Sequence, residues 1–218
     1  MRKLLAFSLI LLLALSGCAV FDRIDAESQS KIPAEHALFF DDFQTDSRYW
    51  KTWEDENGSI QIKNGFLYFL LEKPNFDYWS LTGNTYWNTI TAVDSEFIAG
   101  PKNNTFGVVC RFQDPTNFYQ FVISDDGYGG IIRVQNGKYT NLAATDGLVY
   151  GEMIHKDGGK NLIRADCIDD QLRLVVNQQV LAEAQDSAFS QGKVGLIAGT
   201  SETGKLTLSF DNFTVVKP

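Results

Sequence analysis

Residues 107–137 alternate apolar and polar positions over three short runs separated by turn residues. The first run, Gly107 to Gln113, ends at Asp114-Pro115-Thr116-Asn117, where Pro presets φ and Asp and Asn bond their own backbone. The second is Phe118 to Ser124. Asp126-Gly127 then reads as a two-residue hairpin turn, whose central positions need φ > 0. The third run, Tyr128 to Gln135, closes at Asn136-Gly137. The pattern predicts three consecutive antiparallel strands.

Register follows from these turns. Pairing Gln113 with Phe118 sets Arg111 opposite Gln120 and Cys110 opposite Phe121. With Asp126-Gly127 as the second turn, Gln120 lies opposite Arg133 and Phe121 opposite Ile132. Side chains alternate faces with period two. Cys110, Phe112, Tyr119, Phe121 and Ile132 then face the core. Arg111, Gln120 and Arg133 form a polar row on the other face, beside Val109 and Val122.

From Leu38 onward the same kind of segment recurs: Leu38–Phe43, Ser59–Lys63, Phe66–Leu71, Trp79–Leu81, Thr89–Phe97, Lys138–Leu142, Leu148–His155, Leu162–Ile168, Leu172–Val176, Val180–Ala184, Lys193–Ala198 and Lys205–Val216. Turn signals separate them and no amphipathic helix longer than a turn or two interrupts them. This predicts an all-β chain with one two-sheet antiparallel sandwich over residues 38–218. An aromatic fraction of 13% supplies the large apolar area such a core needs. In the late hairpin, Asp169-Asp170 as the turn sets Cys167 opposite Leu172 and Asp166 opposite Arg173.

The start of the chain is different. Arg2 and Lys3 precede an apolar run from Leu4 to Leu15, which is too short and wrongly flanked to span a membrane and reads as a secretory signal over residues 1–17. Leu15-Ser16-Gly17-Cys18 resembles a bacterial lipobox. That resemblance implies cleavage before Cys18 and acylation of its thiol and new amino group; the alternative is an ordinary signal with an incidental Cys. Residues 18–37 are mixed and polar and read as a tether. The implied address is the bacterial cell envelope, extracytoplasmic and lipid-anchored, with the membrane as a partner through Cys18.

Charge narrows the partners. Losing Arg2 and Lys3 leaves 17 basic against 27 acidic residues, a net charge of −10. Nucleic acid demands a basic footprint, so it is excluded as a partner. With Cys18 acylated, Cys110 and Cys167 remain. An even pair in an exported chain, both on predicted core faces, points to a disulfide; the alternative is two buried free thiols.

The ordered series Phe40-Asp41-Asp42-Phe43, Gly107-Val108-Val109-Cys110-Arg111-Phe112, Asn117-Phe118-Tyr119-Gln120-Phe121, Asp126-Gly127-Tyr128, Asn161-Leu162-Ile163-Arg164, Leu172-Arg173-Leu174-Val175-Val176-Asn177, Gly192-Lys193-Val194-Gly195-Leu196 and Phe210-Asp211-Asn212-Phe213 resembles the concanavalin A-like lectin/glucanase superfamily. Within it, the series is similar to the LamG-like jelly-roll domains of bacterial exported proteins. The resemblance covers about residues 38–216. It implies a jelly-roll β-sandwich with one concave sheet and carbohydrate as the commonest ligand of that face. Asn177-Gln178 stands where such domains commonly carry Asn-Gly, a departure that touches a hairpin only.

The glucanases of this superfamily cut with two carboxylates in a Glu-x-Asp-x-x-Glu pattern, placed about 5 Å apart. The chain has no such motif; Asp94-Ser95-Glu96 lacks the preceding Glu. His36 and His155 have no Ser or Cys motif beside them. A non-catalytic carbohydrate-binding module is therefore expected, the alternatives being a sugar-acting hydrolase with an unrecognised site and a structural or interaction domain without a small ligand. Arg111, Gln120 and Arg133, with Trp79 and Trp87 as stacking planes, are the candidate ligand residues. The competing readings are a solvated face whose Arg stems cover Val109 and Val122, and Trp side chains packed inside the sandwich. Related sandwiches often hold a structural calcium between their two ends, which makes Asp42 and Asp211 candidate ligands; the alternative is that they bond backbone N–H groups. No other cofactor is expected, and no His/Cys spacing suggests zinc.

Cys18→Ala is expected to release the mature domain from membranes or to block its processing. Membrane fractionation and acyl labelling check this; unchanged fractionation with no loss of label contradicts it.

Overall fold

The computed structural model describes residues 37–45 and 48–218. The signal segment, Cys18, His36 and all of the tether except Ala37 lie outside the described residues. Within them there is no helix, and the strands form two antiparallel sheets.

Numbered along the chain, the nine-stranded sheet runs β14 (Gln179–Gln185), β13 (Gln171–Val176), β12 (Lys160–Ile168), β6 (Thr89–Ala99), β16 (Leu206–Val216), β4 (Phe66–Leu71), β3 (Gly58–Lys63) and β2 (Trp53–Asp55), with β1 (Phe39–Asp41) also on β16. The seven-stranded sheet runs β10 (Lys138–Asn141), β9 (Tyr128–Gln135), β8 (Asn117–Ser124), β7 (Thr105–Asp114), β15 (Gly192–Gly199) and β5 (Asp77–Tyr86), with β11 (Val149–Tyr150) on β9. The two ends of the domain meet, as Asp41 pairs with Phe213. There the Asp41 carboxylate is buried, accepting from Phe43 N at 2.8 Å and from Trp50 Nε1 at 2.9 Å.

The main core lies between the sheets. Val93, Phe97, Ile163, Ala165, Leu174, Leu208 and Phe210 come from one side and Phe106, Val108, Tyr119, Phe121, Ile131 and Leu196 from the other. Cys110 on β7 is bonded to Cys167 on β12, Cα to Cα 6.9 Å, so the disulfide ties one sheet to the other. The late hairpin has the expected register, Cys167 with Leu172 and Asp166 with Arg173. At the next turn, Asn177 and Gln178 carry φ of 49° and 70°, the pair of positive values that a two-residue hairpin turn requires.

Three expectations change. The run at 79–81 extends over all of β5, and a short β2 precedes it. The run at 148–155 keeps only Val149 and Tyr150 as strand, because Gly151 N bonds Gly127 O and Ile154 N closes a turn onto Gly151 O. The central register differs most. Gln120 pairs with Ile132 and Tyr119 with Arg133, one residue away from the expected pairing. The turn is Asp125-Asp126-Gly127, three residues long, with Gly127 at φ 95° and its N–H bonded to Ser124 O. Three-residue loops of this kind end on a left-handed residue, which Gly adopts without a Cβ penalty. In β7 the pairs Cys110–Tyr119 and Asp114–Asn117 are out of step by two residues, so the strand bulges between them, with Arg111 at φ 51°.

The 57-residue separation of the two half-cystines implies about 4 kcal/mol of chain-entropy stabilisation. The oxidised protein, denatured and alkylated without reductant, is expected to gain no mass at Cys110 or Cys167, and its reduction to lower the unfolding free energy by about that amount. Two alkylated thiols in the untreated protein would contradict the bond.

Candidate functional site

The outer face of the seven-stranded sheet carries a second apolar cluster, separate from the main core. Val109, Phe112, Phe118, Val122, Val134 and Ile197 are buried there, with Trp79, Leu81 and Ile132 packed against them. Trp79 on β5 lies 5.5 Å from Phe112 and 6.0 Å from Phe118, ring centre to ring centre. By period two, Asp77, Trp79 and Leu81 share this face of β5.

The face is concave. Tyr139 Oη on β10 donates to Asp77 Oδ2 on β5 at 3.0 Å, although these strands end the sheet at opposite sides. Six strands laid flat would hold them about 24 Å apart, so the sheet curls its edges toward each other. Gln120, from β8 in the middle, lies close enough to the Asp77 carboxylate to favour its charged form. A methyl group on Gly199 would come within 2.4 Å of Asp77 Oδ1, so glycine there leaves room for the carboxylate to lie over the sheet. Burial raises the Asp77 pKa, against the opposing effect of the Tyr139 bond and of Gln120. Burial, and then the Asp77 charge, push the Tyr139 phenol up as well. A carboxylate acceptor, an amide that donates and accepts, a phenol and an indole thus converge over an apolar floor. That set suits a ligand with hydroxyls on one side and C–H surface on the other.

The predicted row of Arg111, Gln120 and Arg133 does not form. Gln120 is on the concave face, but Arg133 is on the inner side beside Tyr119. The cause is the third residue in the β8–β9 turn: one added residue exchanges the two faces of β9, taking Ile132 outward and Arg133 inward. Arg133 Nη1 meets Asp186 Oδ2 at 2.5 Å, and Tyr119 Oη donates to Asp186 Oδ1 at 2.5 Å. Arg111 also turns inward at the bulge, where its Nη1 donates to Phe189 O at 2.8 Å and its Nη2 reaches Asn88 Oδ1 at 3.4 Å. Burial lowers the pKa of this guanidinium, while Tyr119 and the Asp169 and Asp170 charges act the other way. The same bulge carries Phe112 outward onto the concave face instead of into the main core. Trp87 is 64% exposed in the β5–β6 turn.

Asp77 and Tyr139 were not singled out in the sequence. Asp77 carries a signal, since it precedes Trp79 and Leu81 at spacings of two. Tyr139 follows the Asn136-Gly137 turn, which pairs it with Val134; its face is readable only once the face of β9 is right.

The calcium candidates behave otherwise. Asp42 Oδ1 accepts from Gln44 N at 3.1 Å and Asp211 Oδ1 from Asn212 N at 2.7 Å. Among the described residues no group of three or more His, Cys, Asp and Glu side chains is arranged to hold a metal ion. A depression of about 210 Å³ on the outer face of the nine-stranded sheet is lined by Asp94, Glu96, Asp211, Lys160 and Asn212, among others. Asp94 and Asp211 are direct cross-strand partners there. Burial, followed at smaller weight by Asp94 and Asp42, raises the Asp211 pKa.

No protein-family model and no curated protein sequence matches the chain. Solved structures do match. The carbohydrate-binding module CBM66 from Bacillus subtilis is 17% identical, with a TM-score of 0.62 over 77% of this chain and 95% of that one. A Bacillus licheniformis β-glucanase is 12% identical, with a TM-score of 0.61 over 83% and 98%. The GH43 protein BlXynB from Bacillus licheniformis is 15% identical, with a TM-score of 0.60 over 81% of this chain, which spans only 39% of that protein's length. Two antiparallel sheets, a shared core and these likenesses together define the architecture: the described residues form a concanavalin A-like jelly-roll sandwich.

Proposed function

We propose that this chain is a lipid-anchored module of the bacterial cell envelope that binds carbohydrate across the concave face of its seven-stranded sheet without cleaving it. The observation that carries the reading is the convergence of Asp77, Gln120 and Tyr139 beside Trp79 on an apolar floor. A pyranose ring presents C–H groups that stack on an indole and hydroxyls that pair with a carboxylate and an amide. The likeness to a carbohydrate-binding module supports the same ligand class. The envelope address rests on the signal segment and the Leu15–Cys18 box, since two or more acyl chains hold a protein stably at a membrane.

A second reading, a sugar hydrolase, has one observation in its favour. Asp94 and Asp211 face each other across β6 and β16, which puts their Cβ atoms about 5 Å apart. Burial keeps Asp211 the more easily protonated than an ordinary carboxyl, while Asp94 Oδ2 accepts from Asn212 Nδ2 at 2.9 Å. A retaining glycosidase uses two neighbouring carboxyl groups, one as acid and the other as nucleophile, and cross-strand neighbours are the kind of pair that could supply them. Release of reducing ends that disappears in Asp211→Asn would establish this reading over the first.

A glycan array followed by calorimetry on residues 18–218 tests the proposal. Gln120→Ala and Trp79→Ala are expected each to weaken the strongest hit by about tenfold or more, the value of one hydrogen bond or stacking plane lost from a shielded site. Arg133→Ala should leave affinity unchanged. Equal affinities for parent and Gln120→Ala would move the site elsewhere.

The raised Asp77 pKa gives a pH signature. A carboxyl whose folded pKa lies above its unfolded value binds more protons when folded, so its contribution to stability falls as pH rises through that window. Asp77→Asn is expected to melt above the parent at pH 7 and to bind carbohydrate more weakly. The difference in melting temperature should shrink as pH falls through the carboxylate range. A variant that melts below the parent at pH 7 would show that the charge stabilises the fold.

A further inference from the structure

β2 ends the nine-stranded sheet and β5 ends the seven-stranded one, and at this open side of the sandwich their side chains meet. Trp53 from β2 stacks on Tyr78 from β5, ring centres 5.4 Å apart and planes 25° from parallel. Phe76 approaches the same Tyr78 ring at 4.9 Å. Beside them opens a cleft of about 430 Å³, walled by these three rings and by Lys51, Asp55 and Lys73, among others. Its size is that of a small-molecule site. It is distinct from the concave face, because Tyr78 points to the opposite side of β5 from Asp77 and Trp79.

One atom of a cleft-lining residue is out of place in a purely structural wall. The Tyr78 hydroxyl is buried and has no hydrogen-bond partner among the described residues, although Tyr78 is only 9% exposed. Buried polar groups are nearly always paired, and the exceptions need a reason. Burial, and after it the charge of Asp55, raise the phenol's pKa, so the group stays a protonated donor. Asp55 uses Oδ1 to accept from Asn57 N at 2.7 Å. Its carboxylate and Tyr78 line the same cleft. Lys73 Nζ sits 4.1 Å from the centre of the Phe76 ring, at the rim.

We infer that this cleft is a second saccharide site, one that takes a neutral sugar ring at the open edge between the two sheets. Sugar hydroxyls both accept and donate, so they can pair with the Tyr78 O–H and with the Asp55 carboxylate, while the ring's C–H face lies on aromatic carbon. A carboxylate-bearing sugar fits less well, since Glu54 and Asp55 offset Lys51 and Lys73 in the cleft and the whole chain is acidic. The inference rests on the reading that the chain binds carbohydrate and adds where, and as what unit, a second contact is made. Two sites on separate surfaces let one molecule hold a polysaccharide with an avidity neither site has alone.

The test is an NMR titration of residues 18–218 with glucose, galactose, xylose, arabinose and mannose singly, and with gluco- and xylo-oligosaccharides, reading the indole N–H signals of Trp53 and Trp79. At least one monosaccharide should move Trp53 and leave Trp79 in place. Tyr78→Phe should weaken that binding about tenfold or more while its melting temperature stays level or rises, because it removes a hydroxyl that the free protein leaves unpaired. A merely structural tyrosine would give the reverse, a lower melting temperature with unchanged affinity, and that result overturns the inference. If oligosaccharides move Trp79 but no sugar moves Trp53, the second site is rejected and the concave-face reading stands. If neither indole responds to any of these sugars, both are rejected.

Discussion

Side chains alternate across a strand, so the number of residues in one turn decides which chemistry a sheet shows to either side. In this sandwich the deciding turn is Asp125-Asp126-Gly127, between β8 and β9. Its third residue sends Arg133 inward, where the Asp186 carboxylate receives both that guanidinium and the Tyr119 hydroxyl. The bulge in β7 does the same to Arg111, which ends on Phe189 O. Both arginines thereby brace one end of the sandwich. The concave face is left with Gln120 as its central polar side chain and a floor of Val109, Phe112, Phe118, Val122, Val134 and Ile197. The inter-sheet disulfide begins one residue before that bulge and holds β7 against β12.

The concave face also bears a stability cost. Its carboxylate, Asp77, is held against apolar surface with its pKa raised by burial, and the Tyr139 bond and the Gln120 amide only partly offset this. A domain selected for stability alone would place an uncharged residue there. Costs of this kind concentrate where a protein meets something else, because the missing partners arrive with the ligand. Asp186 shows the contrast. Its side chain is only 9% exposed, and it accepts from Tyr119, Arg133 and Ala188 N at once and belongs to the frame.

Much of the fold was legible in the sequence because the signals for it are local. Alternation gave the strands, and the Asp169-Asp170 turn gave the correct pairing of Cys167 with Leu172. Cys110 and Cys167, both read as core-facing, are bonded. The candidate site was only half legible. Gln120 and Trp79 lie on the concave face, whereas Arg111 and Arg133 do not. The reason is that Asp-Gly is compatible with loops of two or of three residues, and nothing in the chain marks Asp125 as the third. The bulge at Arg111 has no glycine to announce it, since the left-handed position is held by an arginine. Asp77 and Tyr139 come together through the curl of the whole sheet, a property that no stretch of a few residues encodes.

Residue-level mapping of a bound sugar tests the central claim most directly. With isotope-labelled residues 18–218 and a gluco- or xylo-oligosaccharide, the side-chain amide of Gln120 and the indole of Trp79 are the reporters of the concave face. The side-chain amide of Asn212, bonded to Asp94 at 2.9 Å, reports the opposite surface of the sandwich. The account predicts that Gln120 and Trp79 shift on titration, while Asn212 and the Arg133 Nε–H stay in place. Shifts at Asn212 with Gln120 unmoved would contradict it and put the ligand on the nine-stranded sheet.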